Sequence, residues 1–94
     1  MSAPRILVVE DEVIVAMELK SRLTSFGYEV VGTVGYGEEA IEKVVETAPD
    51  LLLMDITLAG AIDGIEAARR IHETRDVPVV YLTAHSDEQT LQKA

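Results

Sequence analysis

The sequence contains no cysteine, which excludes disulfide bonds, thiolate metal sites and thiol nucleophiles. Basic residues are also scarce, since 8 lysines and arginines face 17 aspartates and glutamates and the net charge is -9. Because nucleic-acid binding relies on clustered basic side chains, direct binding to DNA or RNA is not expected. The absence of cysteine fits a cytoplasmic protein, and the acidic composition is compatible with divalent cations or a basic partner.

Long hydrophobic runs are missing as well. No segment approaches the roughly 20 apolar residues that a membrane-spanning helix needs. The N-terminus leads into only four apolar residues, 6–9, before Glu10, and this run is too short for the core of a signal peptide. Repeats, linkers and low-complexity segments are absent too. With 48% hydrophobic and 27% charged residues over 94 positions, the composition predicts one soluble, intracellular globular domain.

Four short segments predict the strands of a parallel sheet. Two of them, residues 6–9 and 51–54, are uninterrupted apolar runs of the kind that is buried on both faces of a sheet. The other two are residues 29–34 and 77–82. Helices are predicted over residues 12–26, 38–47 and 63–73, and a capping box at 86–89 opens a last helix. The side chains expected to face the core are Ala16, Leu19, Leu23 and Phe26 in the first helix, Ala40, Val44 and Ala48 in the second, and Ile65, Ala68 and Ile71 in the third.

The alternation of strands and helices indicates an α/β fold, a flavodoxin-like doubly wound parallel sheet with right-handed crossovers. In the strand order 2-1-3-4, the carboxyl ends of the first and third strands are neighbours at the topological switch point, where such folds bind ligands. Glu10 and Asp11 follow the first strand, Asp55 follows the third, and Thr83 follows the fourth. We therefore expect these four residues to meet at one edge of the sheet.

Carboxylates that converge in this way repel one another, and a hard divalent cation with oxygen ligands relieves the repulsion. Mg²⁺ suits the site because it takes one or two carboxylates, here Asp11 and Asp55, together with water and a phosphate oxygen. A metal that bridges Asp55 to a phosphoryl donor would let this carboxylate act as a nucleophile and form an aspartyl phosphate, to which Thr83 would hydrogen-bond. The alternative is that these acids only cap turns and helices.

Several segments resemble the landmarks of the receiver domains of two-component response regulators. They are residues 6–12, 49–55, 63–64 and 79–84. The resemblance implies that a sensor histidine kinase phosphorylates Asp55 and that Thr83 senses the phosphoryl group. It also implies a conformational switch in signal transduction rather than an enzyme that turns over. The ligands that it implies for Mg²⁺ are Glu10, Asp11, Asp55 and the backbone carbonyl of Thr57.

The family also has parts for which this sequence offers no counterpart: a fifth strand, a lysine that pairs with the phosphoryl oxygens, and a fifth helix. Lys20, Lys43 and Lys93 do not follow a predicted strand, so none is expected to replace that lysine. The loop 58–62 also lacks the proline that members commonly carry. We expect a receiver domain over residues 1–94 that is C-terminally incomplete, with an output domain or a sensor module in a longer native chain.

An incomplete sheet would leave the fourth strand as an exposed apolar edge, so the sequence predicts self-association through that strand. Tyr81, within it, is expected to be a core residue. His85 borders the predicted site and is a candidate for tuning hydrolysis of the phosphoryl group, whereas His72 is expected to be partly exposed.

Two other functional classes remain open. The first is a phosphate-inert interaction module, which keeps the fold but lacks the chemistry of the family lysine. The second is a Mg²⁺-dependent phosphatase with an aspartate nucleophile. The phosphatase is less favoured because Thr57 occupies the position at which such enzymes usually carry a second acid.

Overall fold

Residues 3–82 are described by a computed structural model, and they form a four-stranded parallel sheet in the order β2-β1-β3-β4. The strands are β1 (Arg5–Val9), β2 (Glu29–Val34), β3 (Leu51–Asp55) and β4 (Val79–Leu82), and the helices are α1 (Val13–Ser25), α2 (Gly37–Thr47) and α3 (Gly64–His72). The predicted flavodoxin-like strand order is therefore confirmed. The helix predicted from residue 86 lies outside the described residues.

The two central strands carry the core because their apolar runs are covered on both faces. Successive side chains of a strand point to opposite faces of the sheet. On one face, Leu7, Val9, Leu52 and Met54 pack with residues of α2 and α3, namely Ala40, Val44, Ala67 and Ile71. On the other face, Ile6, Val8 and Leu53 pack against Leu19 and Leu23 of α1. Burial on both faces explains why β1 and β3 show no polar alternation.

The ends of the first two helices differ from the predicted core faces. Ala16 is buried as expected, but Phe26 is 74% exposed because it forms the C-cap of α1 rather than part of its inner face. Gly27 follows in the left-handed region, with φ of +95°, and turns the chain toward β2. Ala48 is also exposed, because it adopts a left-handed conformation at the C-cap of α2. Both predictions fail at a helix end, where the helical spacing no longer applies.

The inner face of α3 is formed by smaller residues than predicted. Ala68 and Ile71 are buried, but Ile65 is 54% exposed and Ala67 is fully buried in its place. Gly64 and Ile71 are two helical turns apart and point the same way, whereas Ile65 lies about 100° around the helix from Gly64. Small residues on this face bring Gly64 against the Asp55 carbonyl of β3 and Ala67 against Gly37 of α2.

Strand β4 begins two residues later than predicted. Pro78 stays outside it, although its carbonyl accepts a hydrogen bond of 2.9 Å from the Leu52 N–H. The prediction that Tyr81 is a core residue is wrong, since 42% of it is exposed, and its neighbour Val80 is 46% exposed. None of the helices in the described part of the chain has both the length and the apolar character that a membrane span requires.

Candidate functional site

The register of the central strands brings two acids side by side. β1 and β3 run parallel and pair Val9 with Met54, so the next residues, Glu10 and Asp55, lie side by side at the carboxyl end of these strands. Both are buried, with exposed fractions of 3% for Glu10 and 0% for Asp55. Asp11 follows Glu10, and one carboxylate oxygen from each of the three acids lies within 4.8 Å of the others. The structure thus gathers the three acids that the sequence singles out.

Each of the two buried carboxylates is held through one of its oxygens. The Glu12 N–H donates to Glu10 Oε1 over 3.0 Å. The Thr57 N–H donates to Asp55 Oδ1 over 3.0 Å, and the Thr57 hydroxyl donates to the same oxygen over 3.1 Å. In both cases the donor lies two residues after the acid, which is the geometry of a local side chain to backbone turn. These bonds fix the direction of both carboxylates.

Three further oxygens of the cluster are buried without a partner. They are Glu10 Oε2, Asp11 Oδ1 and Asp55 Oδ2, and they are the buried side-chain polar atoms that lack a hydrogen bond among the described residues. Burying charged oxygens without compensation is costly, so such atoms call for a ligand. A hard cation with oxygen ligands would satisfy all three at once, and Mg²⁺ takes carboxylate oxygens while it keeps positions open for water and a phosphate oxygen. The residues present therefore fit a magnesium ion.

The electrostatics of the cluster are those of a cation site. The pKa of Glu10 is raised from 4.5 to about 7, mainly by burial and further by the neighbouring carboxyls of Asp55 and Asp11, against the opposing effect of the hydrogen bond from the Glu12 N–H. Desolvation and like charge both disfavour the ionised carboxylate. Without a cation, Glu10 is therefore partly protonated near neutral pH, and a bound cation would favour its ionised form.

The loop that follows Asp55 is anchored at both of its ends. Leu58 and Ile62 are buried in the core cluster. The Gly64 N–H donates to the Ile56 carbonyl over 3.0 Å, and the Asp63 carboxylate accepts from the Glu66 N–H over 2.8 Å and caps α3. These contacts fix the path of the loop past Asp55. The family resemblance implies a role only for the Thr57 carbonyl, and the hydrogen bond from the Thr57 hydroxyl to Asp55 Oδ1 was not predicted.

Several predicted residues are not part of this cluster. β3 and β4 pair Asp55 with Leu82, and Leu82 is the last described residue. Thr83, His85 and Lys93 lie outside the described residues. Lys43 forms an ion pair of 3.3 Å with Glu46 along α2. His72 is exposed as expected, and its Nε2 lies 2.7 Å from the Val77 carbonyl oxygen, at the opposite end of α3 from Asp63.

Comparison with known proteins identifies the family. Residues 6–94 match the family model of the response regulator receiver domain, so the chain belongs to the receiver domains of response regulators. Among curated proteins, the transcriptional regulatory protein PdtaR of Mycobacterium tuberculosis is 41% identical over 90 residues, which cover 96% of this chain and 43% of that protein. The chemotaxis protein CheY of Thermotoga maritima is 43% identical over 67 residues, which cover 71% of this chain and 55% of that protein.

A solved structure shows the same fold. The signal receiver domain of a modulated diguanylate cyclase from Desulfovibrio desulfuricans superposes with a TM-score of 0.84 at 39% identity, covering 96% of this chain and 72% of that chain. The chain thus spans less than half the length of PdtaR and about half that of CheY.

Proposed function

We propose that this receiver domain accepts a phosphoryl group on Asp55 from a sensor histidine kinase, in a Mg²⁺-dependent reaction that switches its conformation. The observation that carries the proposal is the set of three buried, unpartnered carboxylate oxygens at the edge of the sheet where Asp55 emerges. Membership of the receiver family supports the same function. The proposal makes the chain a signalling module of the cytoplasm rather than an enzyme that turns over.

Four groups would hold the metal: the side chains of Glu10, Asp11 and Asp55, and the backbone carbonyl of Thr57. When bound, Mg²⁺ supplies positive charge that offsets the carboxylates and the oxygens of the incoming phosphoryl group. The hydrogen bond from the Glu12 N–H keeps Glu10 aimed into the cluster. Burial of Glu10 and Asp55 lowers the local dielectric constant and strengthens these interactions.

Asp55 acts as the nucleophile in this proposal. One of its carboxylate oxygens attacks phosphorus, the bond from phosphorus to the donor breaks, and the electron pair leaves with the donor, an imidazole nitrogen when the donor is a phosphohistidine. The two hydrogen bonds from Thr57 orient the carboxylate and hold it in place. The product is an aspartyl phosphate.

The new charge and oxygens appear beside the end of β4, where Leu82 pairs with Asp55. Thr83, the next residue, would hydrogen-bond the phosphoryl group, and His85 would tune its hydrolysis. The resulting change would be read by an output domain or a sensor module in the native protein.

Intact-mass measurement tests this function. The chain is incubated with Mg²⁺ and acetyl phosphate, beside Asp55→Asn and beside a control, Asp76→Asn, which alters an exposed aspartate. We expect one phosphoryl group on the parent and on the control, none on Asp55→Asn, and none on any chain when EDTA replaces Mg²⁺. Uptake by Asp55→Asn would refute the assignment. No uptake by a parent chain that still binds Mg²⁺ would favour the phosphate-inert interaction module.

A further inference from the structure

The turn between β2 and α2, residues 35–37, touches the segment that carries two of the acids. A Cβ atom placed on Gly35 would lie 3.7 Å from the Asp11 Cα. The residue before the turn, Val34, accepts a hydrogen bond of 2.9 Å from the Glu10 N–H. One side of the turn is therefore seated against the backbone of Glu10 and Asp11.

The same turn also touches the loop that follows Asp55. The Tyr36 ring covers Gly60, since its Cδ1 lies 3.1 Å from the position that a Cβ of Gly60 would take. At the next residue, a Cβ on Gly37 would come within 2.7 Å of Ile62 Cγ1. Gly60 and Ile62 belong to the loop that carries Thr57, whose N–H and hydroxyl hold the Asp55 carboxylate. The turn thus contacts both halves of the acidic cluster.

The start of α2 holds the turn, and the point that the turn contacts is a glycine. The Tyr36 carbonyl accepts from the Ala40 N–H over 3.0 Å, and the Gly35 N–H donates to Glu39 Oε1 over 3.2 Å, so the start of α2 holds the turn. Gly60 has a φ of +101°, a conformation that glycine enters and leaves more readily than other residues. A ring packed on such a residue limits the backbone conformations that Gly60 can adopt.

We propose that Tyr36 is a positioning residue of the acidic site: its ring holds the loop at Gly60, so that Thr57 keeps Asp55 in its reactive orientation. The functional part of this inference rests on the proposed phosphorylation of Asp55. About half of Tyr36 is exposed, so the ring is not required to fill the core. What its removal changes is the position of Thr57 relative to Asp55.

Three variants of the whole chain test the proposal. Tyr36→Ala removes the ring, and Tyr36→Phe keeps the ring and loses only the hydroxyl. Tyr28→Ala is the matched control, because Tyr28 is a comparably exposed tyrosine. It precedes β2 and so lies at the amino end of that strand, whereas Tyr36 follows the carboxyl end. The first readout is hydrogen exchange at the Thr57 amide in metal-free buffer, with the buried Leu52 amide in the same sample reporting global opening.

We expect Tyr36→Ala to accelerate exchange at Thr57 several-fold while the Leu52 rate stays close to that of the parent. Tyr36→Phe and Tyr28→Ala should retain the parent rates at both amides. Unchanged exchange at Thr57 in Tyr36→Ala would overturn the proposal, and so would equal acceleration at Thr57 and Leu52. This readout needs neither Mg²⁺ nor a phosphoryl donor, so it decides the contact even if the phosphorylation of Asp55 fails its own test.

The second readout is the rate of phosphorylation by acetyl phosphate with saturating Mg²⁺. We expect Tyr36→Ala to be slower by at least about threefold, with about 100-fold as the upper bound for misplacing the reacting group by an ångström. Tyr36→Phe should restore the parent rate, and Tyr28→Ala should have it. A parent rate in Tyr36→Ala, or an equal loss in Tyr36→Phe, would refute the positioning role.

Discussion

Replacing Glu10 with glutamine removes one charge from the buried acidic cluster, so we expect the metal-free protein to become more stable at alkaline pH. The raised pKa of Glu10, about 7 against an ordinary value of 4.5, means that the folded state disfavours the ionised carboxylate. Glutamine keeps the oxygen that accepts from the Glu12 N–H, and its amide can donate to a neighbouring carboxylate oxygen. The variant therefore retains the local turn and loses both the cost of burying an ionised carboxylate and its repulsion from Asp55.

The magnitude follows from the pKa difference, and the charge repulsion within the cluster is of the same order. The pKa difference of Glu10 corresponds to about 3 kcal/mol, at about 1.4 kcal/mol for each pH unit. Two unit charges 4.8 Å apart, the limiting separation in the cluster, repel by about 3.5 kcal/mol at an effective dielectric constant of about 20. We therefore expect Glu10→Gln to raise the free energy of unfolding by about 3 kcal/mol at pH 8 without metal.

The pH dependence has a definite sign. The folded state binds the Glu10 proton more tightly than the unfolded state, so the parent loses stability as pH rises from 4.5 through about 7. Glutamine does not titrate. The difference in free energy of unfolding between variant and parent should therefore be small at pH 4.5 and reach its full size above pH 7. Mg²⁺ should reduce this difference in stability. A metal ion at 100 times its dissociation constant stabilises the parent by about 2.7 kcal/mol, whereas the variant lacks one of the carboxylates that would bind the ion.

Urea denaturation followed by far-UV circular dichroism measures these differences, in EDTA and then in Mg²⁺. Glu42→Gln, which alters an exposed carboxylate on α2, is the control and should change the free energy of unfolding by no more than about 0.5 kcal/mol. Equal stabilities of Glu10→Gln and the parent at pH 8 in EDTA would refute the reasoning. So would a gap of the same size at pH 4.5 and pH 8.

Three further substitutions test other parts of the account. Thr57→Val removes the hydroxyl that donates to Asp55 Oδ1. We expect urea denaturation to show a free energy of unfolding lower by about 1 kcal/mol, which Thr57→Ser restores. Parent-like stability of Thr57→Val would contradict the importance of that bond. Gly64→Ala places a methyl group against the Asp55 carbonyl, where backbone rather than a flexible side chain must move. We therefore expect the free energy of unfolding in the same assay to fall by about 1–3 kcal/mol. A denaturation midpoint equal to that of the parent would contradict this close packing. Val80→Lys puts charge on the exposed part of β4, and we expect it to abolish concentration-dependent self-association in size-exclusion chromatography; a parent that elutes as a monomer at every concentration would refute the self-association itself.

The sheet and its acidic edge are the parts that the sequence predicts well. The apolar runs of β1 and β3 lack polar alternation because both faces of these strands are covered, and this pattern identifies central strands. Once the strand order is known, parallel pairing leaves little freedom in where Glu10 and Asp55 emerge. The predicted meeting of these acids therefore follows from the topology.

The failures lie where packing between elements decides the outcome. Hydrophobicity favours Ile65 over Ala67 as a core residue, but close packing of α3 selects the small side chain. Phe26 continues the apolar spacing of α1, yet the helix ends one residue earlier. Periodicity fixes the direction of a helical face only while the helix continues, and it does not report how closely a neighbour approaches.

Contacts that involve the loop after Asp55 could not be predicted from the sequence. The ring of Tyr36 meets Gly60 across 24 positions of the chain, and no local pattern links them. The bond from the Thr57 hydroxyl is local, but it requires a particular rotamer of a partly exposed side chain. Both contacts involve the loop after Asp55, whose Leu58 and Ile62 are buried in the core.

The central claim is that Asp55 carries the phosphoryl group, and chemical trapping of the modified residue tests it most directly. After incubation with Mg²⁺ and acetyl phosphate, borohydride reduces an acyl phosphate to an alcohol, and peptide mass spectrometry locates the reduced residue. The account predicts reduction at Asp55 alone, and none in a sample incubated with EDTA. Reduction at Glu10 or Asp11 instead, or a phosphorylated chain without a reduced residue at Asp55, would contradict it.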